Sequence, residues 1–104
     1  MDTQEFFQRI QMAIEERPEL AKSIDKKYLF KIEGDVDWVV DLTADPATIS
    51  TSGTDSHDCL LIAAKDDFEI AINNPRAILK FIMDGRIRLS NTAHFQEFMK
   101  LYRV

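Results

Sequence analysis

Two periodicities alternate along this chain, and each change between them marks an element boundary. Phe6, Ile10, Ala13 and Ile14 recur at helical spacing up to about Arg17, behind Asp2-Thr3-Gln4-Glu5, which has the form of a capping box. Pro18 ends that helix and suits the first position of a short second one through Leu20, Ala21 and Ile24. The period then becomes two. Tyr28, Phe30 and Ile32 alternate with Leu29, Lys31 and Glu33, the signature of a half-buried strand. Gly34-Asp35 supplies a tight turn, after which Val36, Trp38, Val40 and Leu42 alternate with Asp37, Val39 and Asp41 to form a hairpin's second arm. Asp45-Pro46 marks another turn. Thr48-Ile49-Ser50-Thr51 is β-branched but barely hydrophobic, which suits a sheet edge, and residues 52–57 are a polar loop. Asp58 to Ala64 is apolar on both faces and is therefore expected inside the sheet.

Helical spacing then returns. Asp66 or Asp67 caps a helix carrying Phe68, Ala71 and Ile72, with Glu69 completing a box with Asp66. Asn73-Asn74-Pro75 stops it and starts another, on which Ile78, Leu79, Phe81 and Ile82 make a broad apolar stripe closed by Gly85 as C-terminal cap. Ile87 and Leu89 alternate with Arg86 and Arg88 as a last strand. Asn91 or Thr92 caps a final helix with Phe95, Phe98, Met99 and Tyr102 on one side.

Size and charge narrow the function. At 104 residues, without repeats or linkers, the chain reads as one domain over 1–104. Its longest uncharged apolar runs, such as Cys59 to Ala64, are far too short to span a bilayer, and Asp2, Glu5 and Arg9 break up any signal peptide, so a cytoplasmic protein is expected. The single cysteine, Cys59, allows no internal disulfide or cysteine-based zinc cluster and reads as a buried structural thiol. With 18 acidic against 13 basic residues and a formal charge of −5, the chain is not expected to bind nucleic acid. His57 and His94 belong to no nucleophile elbow or triad. Asp41-Leu-Thr43-Ala-Asp45 begins like a calcium loop but has Pro46 at the sixth position and Ser52 at the twelfth. No catalytic residue or metal is therefore expected. Arg76, Lys80, Arg86, Arg88, Lys100 and Arg103 gather in the C-terminal third; ordinary solvated faces account for them, with transient contact to a membrane or a partner protein as the alternative.

The element order carries four local signatures in sequence: Trp38-Val39-Val40-Asp41-Leu42-Thr43 on the hairpin, Asp58-Cys59-Leu60-Leu61-Ile62 on the fourth strand, Asp67-Phe68 at a helix head, and Phe81-Ile82-Met83-Asp84-Gly85-Arg86-Ile87-Arg88-Leu89. Together they resemble the sterol carrier protein 2 domain over nearly the whole chain. Three turn positions depart from that pattern: Asn74 and Ser90-Asn91 replace glycine-containing turns, and the loop after Asp45 lacks its customary glycine. The resemblance implies an α+β fold, with a five-stranded mixed, mostly antiparallel sheet covered on one face by helices and an apolar cavity between them. It implies binding or transfer of a lipid (fatty acid, acyl-CoA, phospholipid or sterol-like) with no cofactor and no chemistry. The cavity wall would be drawn from Trp38, Leu61, Phe68, Ile72, Ile78, Phe81, Ile82, Met83, Phe95, Phe98 and Met99. The alternative is an accessory or protein-interaction domain with the same fold and a filled core. At about 24 cal/mol per Å³, an empty void of about 400 Å³ costs on the order of 10 kcal/mol, so the chain should either hold ligand or close up. The final helix, from about Thr92 to Arg103, is expected to be a movable lid tethered at one end only.

Overall fold

The computed structural model describes residues 1–51 and 56–102. Helix α1 spans Thr3–Glu16 and α2 Pro18–Ile24; strands β1 Lys27–Glu33, β2 Trp38–Asp41, β3 Thr48–Ser50 and β4 Cys59–Ala64 follow, then α3 Lys65–Asn73, α4 Arg76–Met83, β5 Ile87–Leu89 and α5 Thr92–Tyr102. Of the expected polar loop, residues 52–55 lie outside the described residues, as does Arg103 of the basic set.

Local signals act where they stand in the sequence. The Asp2 side chain accepts a hydrogen bond from Glu5 N at 2.8 Å and so caps α1, and Asn91 Oδ1 does the same for His94 N at 2.9 Å at the head of α5. Gly85 (φ 80) closes α4 in a Schellman arrangement, with Arg86 N donating to the Phe81 carbonyl and Gly85 N to that of Ile82. Two expectations fail. The box between Asp66 and Glu69 does not form, because α3 begins two residues earlier, with Ala64 rather than Asp66 at its N-cap. Asp66 and Asp67 instead sit in the first turn, where carboxylates favour the positive end of the helix dipole. Val36 is not part of the hairpin arm either. The turn at Gly34 (φ 92) runs through Asp37, leaving Val36 exposed and starting β2 at Trp38.

The sheet order is β3-β2-β1-β4-β5, parallel only between β1 and β4. The edge position of β3 and the interior position of β4 are those its polar and β4's apolar residues demand. One row, Trp38, Phe30, Leu61 and Leu89, crosses four strands on the face that packs against the helices. On the opposite face Leu29 lies between Val39 and Leu60, and both Leu29 and Val39 are buried. The main core is aromatic at its centre: Phe6, Phe7, Phe30, Phe68 and Phe98 meet with ring centroids 5.1–6.5 Å apart.

Candidate functional site

Between β1, β4 and β5 on one side and α1, α3, α4 and α5 on the other lies a small apolar space. It is lined by Phe6, Phe30, Leu61, Phe68, Ala71, Ile72, Ile78, Ile87, Phe95, Met99 and Tyr102, and its volume is about 20 Å³. That is room for roughly one water, against about 300–1,000 Å³ for a drug-sized ligand.

Of the side chains assigned to the wall from sequence, Leu61, Phe68, Ile72, Ile78, Phe95 and Met99 meet around this space. The others are elsewhere. Trp38 stacks on Phe7 with ring centroids 4.4 Å apart and planes 11° from parallel. Phe98 is fully buried and packs on Tyr28 and Phe30. Phe81 is buried beneath the Arg86 guanidinium, which lies 5.1 Å from its ring centroid. Ile82 is half-buried against the core, and Met83 is 78% exposed, on the outer side of α4. Phe6, Phe30, Ala71, Ile87 and Tyr102 complete the wall without having been assigned to it. Phe30 had a legible signal, since it points to the same side of the sheet as Tyr28 and Ile32.

Two larger grooves open to solvent. One, of about 540 Å³, runs between α1, α2 and residues 42–47, where Ile14, Pro18, Ala21, Leu42 and Ala47 line it beside Gln11, Glu15, Glu19, Lys22 and Asp25. The other, of about 460 Å³, lies between α1 and α5 with Pro75 at its edge. Met99 and Tyr102 line both this groove and the closed space, so they form the partition between them.

The expectation of a lid tethered at one end meets a helix fastened at both. Near the start of α5, Tyr28 Oη donates to the His94 carbonyl at 2.6 Å, and burial pushes the Tyr28 hydroxyl well above the ordinary tyrosine range. Near its end, Arg17 Nη2 donates to the Leu101 carbonyl at 3.2 Å and Tyr102 Oη donates to the Ile72 carbonyl. Lys26 Nζ lies 3.2 Å from Glu97 between the two. Asp41 Oδ1 accepts from both Thr43 N and Thr43 Oγ1, which is how a turn uses such a carboxylate. Among the described residues no cluster of His, Cys, Asp and Glu is placed to hold a metal.

The model of the SCP-2 sterol transfer family matches residues 5–103. The chain belongs to that family. Solved structures with the SCP-2 fold resemble it closely in shape at low identity. Sterol carrier protein 2 from Yarrowia lipolytica, in its apo form, has a TM-score of 0.71 at 13% identity, over 92% of this chain and 84% of that one. The palmitated sterol carrier protein 2-like 2 from Aedes aegypti has a TM-score of 0.59 at 17% identity, over 99% and 96%. The stereoselective inverting sec-alkylsulfatase Pisa1 from Pseudomonas sp. carries the same fold within a much larger chain. There the likeness covers 80% of this chain but 14% of the enzyme, at 17% identity and a TM-score of 0.65. No curated protein sequence matches.

Within the SCP-2 frame Cys59 occupies the interior strand β4 and is 2% exposed. Its thiol donates to the Asn91 carbonyl at 3.5 Å, and burial pushes it above the ordinary thiol range. The native protein is therefore expected to stay unlabelled by a maleimide at neutral pH and to label stoichiometrically once unfolded in urea. Rapid labelling of the folded protein would contradict this.

Proposed function

We propose that this SCP-2 domain binds a single-chain hydrophobic ligand, a fatty acid or its thioester, in the apolar space between its sheet and α3–α5, and carries it without catalysis. The observation that supports the reading best is the partition. A wholly apolar space of about 20 Å³ and an open groove of about 460 Å³ share two side chains, Met99 and Tyr102. Met99 is unbranched and repacks at low cost, and Tyr102 is half-buried and held by one hydrogen bond to Ile72. Turning these two aside joins the spaces into one of ligand size while the rest of α5 stays fastened. The membership in a sterol transfer family and the palmitated relative agree with this ligand class.

A second reading has its own observation: the space is already closed, as the core of an accessory or protein-interaction domain would be, and the same fold occurs inside a larger enzyme. Titration with a fluorescent long-chain fatty acid separates the two. Saturable 1:1 binding is expected, with faster uptake by Met99→Ala. No binding, together with no lipid in an organic extract of the purified protein, would leave the accessory reading in place.

A further inference from the structure

Helix α4 has two unlike faces. Ala77, Ile78, Phe81 and Ile82 turn inward, Phe81 fully and the others in part. The outward stripe is Arg76, Leu79, Lys80 and Met83, spaced i, i+3, i+4, i+7, so the four form one continuous strip of surface. Leu79 is 66% and Met83 78% exposed, the most exposed large hydrophobics among the described residues. A solvated helix face has no use for two such side chains flanked only by cations.

The charges around the strip run against those of the whole chain. Residues 75–104 hold six of the thirteen Lys and Arg but two of the eighteen Asp and Glu, a balance of +4, against −9 for residues 1–74. Of those two acids, Glu97 already faces Lys26 at 3.2 Å. Asp84 alone remains near the strip, as the C-cap of α4. None of Arg76, Lys80, Arg86 or Arg88 has an ion-pair partner among the described residues. A chain with a net charge of −5 is repelled as a whole by an anionic surface, so cations collected unpaired around exposed Leu and Met favour one orientation on one kind of surface. Among the described residues no helix is long and apolar enough to cross a membrane, so such contact would be peripheral.

We propose that the outer face of α4 docks on an anionic lipid bilayer, with Leu79 and Met83 entering the headgroup region and Arg76, Lys80 and Arg86 meeting lipid phosphates and carboxylates. The strip begins beside Pro75, which edges the 460 Å³ groove, so docking in this orientation brings the groove's mouth to the bilayer. The inference goes beyond the ligand reading and does not need it, because vesicle binding is scored with no ligand transferred.

The test is sedimentation of the full chain with vesicles of phosphatidylcholine containing about one quarter phosphatidylserine. Binding is expected at ionic strength of about 0.1 M, with release at about 1 M, where the Debye length shrinks to about 3 Å, and none to vesicles of phosphatidylcholine alone. Lys80→Ala should weaken binding about fivefold, as expected for one cation at an anionic surface. Leu79→Ser should weaken it about tenfold through lost apolar burial. Val36→Ser, at another exposed apolar position, should leave it unchanged. These positions are exposed, so each variant should fold, and far-ultraviolet circular dichroism checks that it has. Wild-type protein that stays in the supernatant overturns the proposal. So does binding that ignores Leu79 and Met83 while following the cations, since that describes docking on an acidic protein rather than insertion into a bilayer.

Discussion

Phe98→Ala should lower stability by about 3–5 kcal/mol, the range for emptying a buried phenylalanine site. Phe98 is fully buried, and four rings surround it: Tyr28 at 4.9 Å, Phe30 at 5.3 Å, Phe95 at 6.2 Å and Phe6 at 6.5 Å between centroids. Those neighbours come from α1, β1 and α5 itself, each held by its own hydrogen bonds, so they cannot collapse into the space the ring leaves. Loss of aromatic pairs, at about 0.5–1.5 kcal/mol each, adds to loss of burial. A domain of this size has about 5–15 kcal/mol in all, so the variant should retain a cooperative transition with its urea midpoint lower by about 2 M. A cost below about 1 kcal/mol would mean that α5 packs loosely enough to move as a unit. The lid reading would then revive in place of the side-chain partition at Met99 and Tyr102.

Glu69→Ala should cost about 2–3 kcal/mol, far more than an exposed-helix carboxylate warrants. Glu69 Oε2 accepts from both Thr3 N at 2.8 Å and Thr3 Oγ1 at 3.0 Å, and Thr3 is the one buried polar residue at the seam between α1 and α3. Removing the acceptor strands two donors, one of them among the helix-start N–H groups that have no partner inside α1. Asn73 Nδ2, which donates to the Met1 carbonyl at 2.7 Å, fastens the same seam one turn further on but cannot reach Thr3's donors in Glu69's place. Glu69→Gln keeps an acceptor oxygen and should recover most of the loss. Thermal melts of Glu69→Ala, Glu69→Gln and Thr3→Val, completed as a double-mutant cycle, check this. Additive single effects would show that the two residues do not stabilise each other.

The Glu69 contact also shows where sequence reasoning ends. Period-two runs, Gly34, Gly85, Asn91 and the Asp2 cap are local signals, and the elements they predict are present because nothing distant opposes them. Glu69 sits three residues after Asp66 and so reads as half of a local box, yet its partner is sixty-six residues away. No pattern within α3 can announce that. Helix α4 poses the same difficulty differently. It is apolar on two sides, so its sequence cannot show that Ile78 faces in while Leu79 and Met83 face out. Trp38 was assigned to the wall of the space, but its ring stacks on Phe7, a residue off the expected stripe of α1. Six of the eleven assigned residues meet around the space. Its near-zero volume depends on how five helices settle on one sheet, which no spacing encodes.

The register of the central strands sets a timetable for how this chain must be made. β1 can zip to β2 almost as soon as β2 exists, but its other edge waits for β4, with Phe30 opposite Leu61, and its ring surface waits for Phe98, sixty-eight residues later. At about 5–20 residues per second of synthesis, β1 spends on the order of several seconds with a Tyr-Leu-Phe-Lys-Ile-Glu ribbon bare along one side. Lys31 and Glu33, exposed in the finished domain and engaged in no ion pair there among the described residues, stand on that ribbon. They are charges on an otherwise apolar strand, placed where two nascent chains would first stick to each other.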